Sequence, residues 1–418
     1  MTTGTPQSVV IIGGGIVGIA CAHYLNEAGH SVTILESGTM AGACSYGNCG
    51  YICPSHALPL AEPSALREGF ASLFDPTAAF RVKPRFDPSF INWMWQFARR
   101  CTRTAMLENG HHLHAMLQSS IEEYTRLVAG KINGSEWKQT GLLYAFKTAR
   151  GVDDFAKTAR ILHENYGIES KCLSGAELTS FDGSLVPDLM GGFHFPDDSS
   201  VRPDGLTSGW LAHLRMQGVK IVEGASVERI ERTGSKITSI VTSKEQFSAD
   251  HYVLAAGAVS GQLASMFGSN LPIEPGKGYS ITMERLDHAP KVPMLFPEHH
   301  VGISPFESGF RIGSMMEFVG FDKTIPPYRL DQLRHAASQY LVGKLPSASV
   351  EQWYGWRPMT WDSLPIIGSF QDIENLCCAT GHNMLGMSLA PATGKLVAEL
   401  ISGRTTHIDP IPYSPNRF

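Results

Sequence analysis

Thirteen residues near the N-terminus, SVVIIGGGIVGIA (Ser8–Ala20), leave this chain few folds to choose from. The uninterrupted apolar run Ser8–Ile12 predicts a buried strand. Ile16–Ala28 carries a helical pattern that stops at Gly29, and Ser31–Leu35 predicts a second strand. Between the first strand and the helix, Gly13, Gly15 and Gly18 form G-x-G-x-x-G. The first glycine permits a tight turn, the second lets backbone approach a pyrophosphate, and the third lets helix and strand pack closely. The helix then opens at Ile16 and Val17 with unpaired N–H groups and the positive end of its dipole.

Glu36 closes the second strand, eighteen residues after Gly18. A carboxylate there accepts both ribose hydroxyls and repels a 2′-phosphate, which argues against NADP. A glycine-rich turn alone is a weak signal. Strand, turn, helix, strand and acid in register predict a Rossmann-like dinucleotide site. The pattern does not separate FAD from NAD, but a single fingerprint disfavours a flavoprotein with a second, NAD-binding domain.

The 418 residues suffice for two to three domain-sized units. A formal net charge of −5 gives no basic field for nucleic acid. The opening MTTGTPQ lacks the charged start of a signal peptide, and Val9–Ala22 is short and broken by four glycines, so no span is expected. The eight cysteines are expected as reduced thiols in a cytoplasmic protein. Cys44, Cys49, Cys53 and His56 match no zinc or iron–sulfur spacing, and no metal is expected.

Further along, a long helical region runs to about Val128, and strands are expected at Gly141–Phe146 and Gly191–Phe195. VRPDGLTSGWLAHLRMQG reads as a helix, HYVLAAG as a buried strand, GKGYSITMERL and GFRIGSMMEF as sheet strands and DQLRHAASQYLVGKL as a helix. The segment from Asn375 reads as strand, glycine loop and helix. This mixed order predicts two domains that each use several chain segments.

Seven separated motifs carry a resemblance: IIGGGIVGIACAHYLNEAGHSVTILE, SYGNCGYICP, VRPDGLT, ADHYVLAAGAVS, GKGYSIT, GWRPMTWDSLPIIG and ATGHNMLGMSLAPATGKLVAEL. In these the chain resembles, over nearly its full length, the D-amino-acid oxidase-like family of FAD-dependent oxidoreductases, and within it the bacterial D-amino-acid dehydrogenase group. The resemblance implies an α/β and α+β fold: a Rossmann-like FAD-binding domain (1–60, 200–265 and 355–418) and a discontinuous substrate domain on a mixed β-sheet (61–199 and 266–354).

It further implies that Ser45 lies near the pyrophosphate and that Asn48, Gly50, Tyr51 and Ile52 pass beside the flavin. Val227 would flank the adenine through its backbone, and Ala256 and Gly257 would close the nucleotide pocket. Asn383, Met384, Leu385, Gly386 and Met387 would reach the pyrimidine end of the ring. Cys49 departs from the glycine or alanine that the related dehydrogenases carry there. Pro391 is expected in the first turn of the last helix, whose N-terminus would face the flavin N1–C2 edge. His382 is expected to be structural or at the ring edge.

In the family, the arginine of this W-x-G-x-R-P neighbourhood forks the substrate carboxylate; here that is Arg357. Its planar guanidinium suits the task, and the competing reading is an ion pair with Glu351 or Asp362. Tyr279 resembles an active-site tyrosine whose hydroxyl joins the carboxylate contact, against a core tyrosine bonded elsewhere. The aromatic stretch Phe70–Cys101, with Trp93, Trp95, Phe97, Arg99 and Arg100, has three readings: an active-site lid or wall, a contact with the inner face of the membrane, and ordinary core.

The implied reaction is FAD-dependent oxidative deamination of a D-amino acid to an imine and then a 2-oxo acid, with electrons passed to a quinone or other acceptor. One alternative is oxidation of glycine, sarcosine or hydroxyproline-like secondary amines. Another is a non-catalytic flavin-binding partner within a heteromeric amine dehydrogenase.

Overall fold

The computed structural model describes residues 5–72, 75, 77–128 and 132–418. Residues 1–4 of the N-terminal reading, and Leu73, Phe74 and Pro76 of the aromatic stretch, lie outside the described residues.

The first strand, Ser8–Ile12, lies inside a six-stranded sheet and buries side chains on both faces, which is why it carries no polar alternation. Across the sheet the order is Ile366–Ser369, Leu376–Thr380, His251–Leu254, Ser8–Ile12, Ser31–Leu35 and Lys220–Val222. All neighbours are parallel except the first pair. The helices Ile16–Glu27 and Gly386–Ile401 pack against each other in the core beside this sheet. A small antiparallel sheet spanning 227–247 adjoins it.

A nine-stranded mixed sheet forms the second layer system. Its edge strand is Glu351–Met359, followed by Glu274–Met283, Phe310–Phe318, Val301–Pro305 and Met294–Phe296. Leu142–Phe146, Gly191–Phe195 and Lys171–Ser174 continue it, and Phe80–Val82 pairs with Phe310–Phe318. The expected domain boundary at residue 355 falls inside the edge strand, because Gly355–Met359 stay paired with Glu274–Gly278. The helix expected in DQLRHAASQYLVGKL starts earlier, at Pro327, and ends at Ser338. Proline at the first helical position needs no N–H partner, so the Pro-Pro pair opens this helix.

Pro391 is a correction. It is the sixth residue of the last helix, which starts at Gly386, and is not in the first turn. Its missing N–H leaves the Met387 carbonyl without an intrahelical donor. The Tyr124 hydroxyl donates to that carbonyl at 2.6 Å and makes the position tenable.

Helix Pro88–Arg100 is capped by Asp87, whose carboxylate accepts from the amides of Ser89 and Phe90 at 3.0 and 3.4 Å. Phe90, Trp93 and Phe97 point into a core with Phe318 and Met359. Ile91 and Trp95 face outward, 56% and 62% exposed. The stretch is therefore half core and half apolar surface. Among the described residues, no helix is long and apolar enough to cross a membrane.

Candidate active site

The turn after the first strand is held by its neighbours. Gly13 has φ 115°, and a Cβ there would meet the Ala255 carbonyl; a Cβ on Gly18 would overlap the Gly13 carbonyl. At Gly15 the nearest obstacle is Ser45 Oγ at 3.6 Å, so that backbone stays open to a ligand. The Ile16 amide donates to Ser45 Oγ at 3.0 Å. The Glu36 carboxylate accepts from Gly14 N and Gly38 N, both at 2.8 Å, one on each oxygen. Oε1 also accepts from Ser37 Oγ at 3.1 Å, and Oε2 retains a further lone pair.

A cavity of about 710 Å³ starts at this cradle. Gly13, Gly15, Ile16, Val17, Glu36, Ser45, Asn48, Val227, Ala256 and Gly257 line it, and so do Arg357, Asn383, Met384, Gly386 and Met387. The fold thus gathers residues from both ends of the chain around one space. A dinucleotide fits this donor set: helix N–H groups and an open glycine for phosphates, and a carboxylate for ribose hydroxyls.

Five expected cofactor residues stand behind the lining. Gly18 supports the turn. Gly50 accepts the Asn48 side chain's constraint, its amide donating to Asn48 Oδ1 at 2.7 Å. Tyr51 and Ile52 form a short strand with Ser199–Ser200; the Tyr51 hydroxyl donates to Ile303 O at 2.9 Å, and Ser388 Oγ donates to the Tyr51 carbonyl at 2.9 Å. Leu385 also lies outside the lining, its amide closing a turn onto the His382 carbonyl.

Arg311 fixes the loop that carries Ser45 and Asn48. It is fully buried and donates to the Tyr46 and Asn48 carbonyls at 3.0 and 2.8 Å, and to Thr282 Oγ1 at 2.9 Å. Glu351 stands 3.6 Å from its Nη2. Nothing in the motifs marked this arginine. Its role depends on strand pairing that sequence spacing does not reveal.

Arg357 lies on the edge strand, half-buried. Nη1 donates to the Met315 carbonyl at 2.8 Å. Among the described residues no carboxylate pairs with it: Glu351 faces Arg311, and Asp362 pairs with Arg417 at 2.7 Å. Cys44, also in the lining, is its neighbour, and burial pushes that thiol up, so it stays protonated.

Tyr279 is a second correction. It is buried in the core of the large sheet, lies outside the cavity lining, and its hydroxyl donates to Glu317. Tyr279 is paired with Tyr354 and Arg357 with Gly276, so Tyr279 and Arg357 stand on opposite faces of the two strands.

His382 lines the cavity, but its Nε2 is 2.9 Å from Thr393 Oγ1, and burial pulls it down to about 3; it is neutral. Asn383 adopts φ 52°, and its amide donates to the Pro358 carbonyl at 3.0 Å, tying this loop to the Arg357 strand. Trp353, Tyr354, Trp356 and Ile325 add lining to which the sequence motifs assigned no role. Cys53 and His56 are engaged elsewhere: His56 Nε2 lies 2.9 Å from the Tyr144 hydroxyl. Among the described residues no three His, Cys, Asp or Glu side chains stand together as a metal site.

The chain is 32% identical to a D-amino acid dehydrogenase of Chromohalobacter salexigens, over 99% of this chain and all of that protein. It is 29% identical to a D-amino acid dehydrogenase of Neisseria gonorrhoeae, over 99% of both. Among solved structures, glycine oxidase from Geobacillus kaustophilus superposes with a TM-score of 0.77 at 23% identity, covering 99% of each chain. L-proline dehydrogenase from P. horikoshii gives 0.76 at 20% identity, covering 99% of this chain and 98% of that one. The FAD dependent oxidoreductase (DAO) family profile matches residues 8–400, and with that match the chain belongs to the DAO family of FAD-dependent oxidoreductases.

Proposed function

We propose that this flavoenzyme oxidises the Cα–N bond of a D-amino acid, giving an imine that water converts to a 2-oxo acid and ammonia. The observation that carries this reading is Arg357: a half-buried guanidinium in the cavity wall, free of any carboxylate of the described chain. A buried cation of this kind calls for an anion, and a carboxylate can take two parallel hydrogen bonds from it. The curated relatives named as D-amino acid dehydrogenases supply the preference for amino acids and for the D-configuration.

FAD, when bound, would supply the hydride acceptor for the substrate Cα–H. Glu36 would hold the ribose hydroxyls, and the Gly15–Val17 backbone with Ser45 would hold the pyrophosphate. Ala256, Gly257 and the Val227 backbone would enclose the nucleotide, and the start of the last helix at Gly386–Met387 would face the ring with its positive dipole end. The loop Asn48–Ile52 would back the flavin. Arg357 would orient the substrate by its carboxylate, and fixing the carboxylate fixes where the Cα–H points. His382 is a poor base for the amine proton, since burial pulls it down to about 3 and its Nε2 is bonded to Thr393. These roles fit a FAD-binding domain built from 1–60, 200–265 and 355–418 around the six-stranded sheet, with Gly355–Met359 still paired in the edge strand of the large sheet.

For the electron acceptor we propose a quinone or another carrier. The outward Ile91 and Trp95, with exposed Phe70 and Phe86 nearby in sequence, offer an apolar face for peripheral contact with the inner surface of a membrane. The experiment that tests the reaction is an anaerobic panel of D- and L-amino acids, sarcosine and hydroxyprolines, with flavin bleaching as readout. Bleaching by D-amino acids supports the reading. Bleaching by sarcosine or hydroxyproline alone moves it to secondary amines, and bleaching by none of them moves it to a non-catalytic partner role.

A further inference from the structure

We infer that Gly278 is a positioning residue for Arg357: the absent side chain at 278 is the seat on which the guanidinium lies. The inference rests on the reading of Arg357 as the carboxylate clamp. Antiparallel pairing puts Gly276 opposite Arg357 and Gly278 opposite Gly355, so this face of the two strands carries no side chain beside Arg357 on the inner strand. A Cβ added to Gly278 would meet the guanidinium first. It would overlap both terminal nitrogens and stand 2.5 Å from Cζ.

Its own φ does not demand glycine, since Gly278 is not among the positive-φ residues; it lies at the register shift where its strand faces a bulge of Phe310–Phe318. From the other side Met315, held at φ 66° in a bulge of the neighbouring strand, aims its carbonyl at Nη1. Gly278 below and the Met315 carbonyl beside it therefore define one resting place for the guanidinium. The atoms in the way of a new Cβ belong to the tip of a flexible side chain. The fold can accept alanine at 278 if Arg357 gives up that place, so the effect should appear in carboxylate binding and not in stability.

The test compares wild type, Gly278→Ala, Arg357→Ala and the double variant as FAD-loaded enzymes. The readouts are thermal midpoint, benzoate affinity from the shift in flavin absorbance, and KM and kcat for the best amino acid of the panel. Gly278→Ala should keep its flavin and its midpoint, lose about tenfold in benzoate affinity, and show the change mainly in KM. In the Arg357→Ala background the same substitution should change benzoate affinity by less than about twofold, because the two residues act as a unit.

Wild-type benzoate affinity in Gly278→Ala, or an equal loss with and without Arg357, would overturn the seat while leaving the clamp in place. Unchanged affinity in Arg357→Ala would remove the clamp itself. If Gly278→Ala does not fold, the double variant, which lacks the overlapping atoms, should; a double variant that also fails overturns the inference.

Discussion

Asp362, five residues beyond Arg357, gives its carboxylate to Arg417: Nε lies 2.7 Å from Oδ2 and Nη2 3.2 Å from Oδ1. With Glu351 turned to Arg311, both acids that could have neutralised Arg357 are engaged elsewhere. A role for Arg357 as an internal tie between these acids is thereby removed, and its charge is left to the cavity.

Arg357→Lys keeps the charge and loses the two-point grip, so kcat/KM for an amino acid should fall by about 2–4 kcal/mol, on the order of thirty- to a thousandfold. Arg357→Ala should be worse. Flavin content and thermal midpoint should stay near wild type, because no internal ion pair is lost. Steady-state kinetics and flavin quantitation on the same preparations check this, and a marked drop in midpoint would contradict it.

Glu36→Arg should purify with little or no FAD while far-ultraviolet circular dichroism stays native. The substitution removes the ribose acceptor and also the partner of the Gly14 and Gly38 amides that shape the cradle. A variant carrying a full complement of flavin would refute the assignment of the ribose.

Arg311→Met should destabilise the protein by about 3 kcal/mol or more, since two buried carbonyls and Glu351 lose their partner. Arg311→Lys cannot span Tyr46, Asn48 and Thr282 at once. It should therefore release FAD faster than wild type on dilution, with a smaller loss of stability. Flavin retained as tightly as in wild type would show that the loop is held by other contacts.

Asp198 is buried, accepting from Ser55 N at 3.0 Å and Ser55 Oγ at 2.5 Å, and burial pushes its carboxyl up to about 7. An acid whose folded value lies above its unfolded value binds more protons in the native state between the two. Its contribution to stability is therefore greatest below about 4 and declines as the pH rises to about 7. Asp198→Asn cannot ionise, so its thermal midpoint should gain on wild type over that interval. Parallel midpoint-versus-pH curves for the two proteins would disprove the assignment.

Turnover with a quinone or a dye should be fast and reaction with oxygen slow; hydrogen peroxide formed as fast as substrate is consumed would exclude the dehydrogenase reading. Trp95→Glu and Ile91→Glu should weaken association with vesicles containing anionic lipid and leave dye-linked activity unchanged. Equal sedimentation of variants and wild type with vesicles would rule out this face as the contact.

The cradle was legible in the sequence because most of its determinants are local: an apolar strand, three glycines, a helix and an acid lie within thirty or so residues, while Ala255 and the strand His251–Leu254 pack against them from far along the chain. Five of the seven family motifs contribute residues to the cavity lining, and VRPDGLT and GKGYSIT do not. Strand pairing decided the rest. Spacing alone gave Tyr279 and Arg357 no relative facing, and only the register of Glu274–Met283 against Glu351–Met359 puts them on opposite faces.

Pro391 shows the same limit within a helix. Local preference places proline in the first turn, yet the Tyr124 hydroxyl, from a helix far away in sequence, satisfies the carbonyl that an internal proline strands. Backbone preferences act over a few residues and can be read along the chain. Which side chain faces a cavity, and which distant group completes a hydrogen bond, is set by contacts that exist only once the segments have packed.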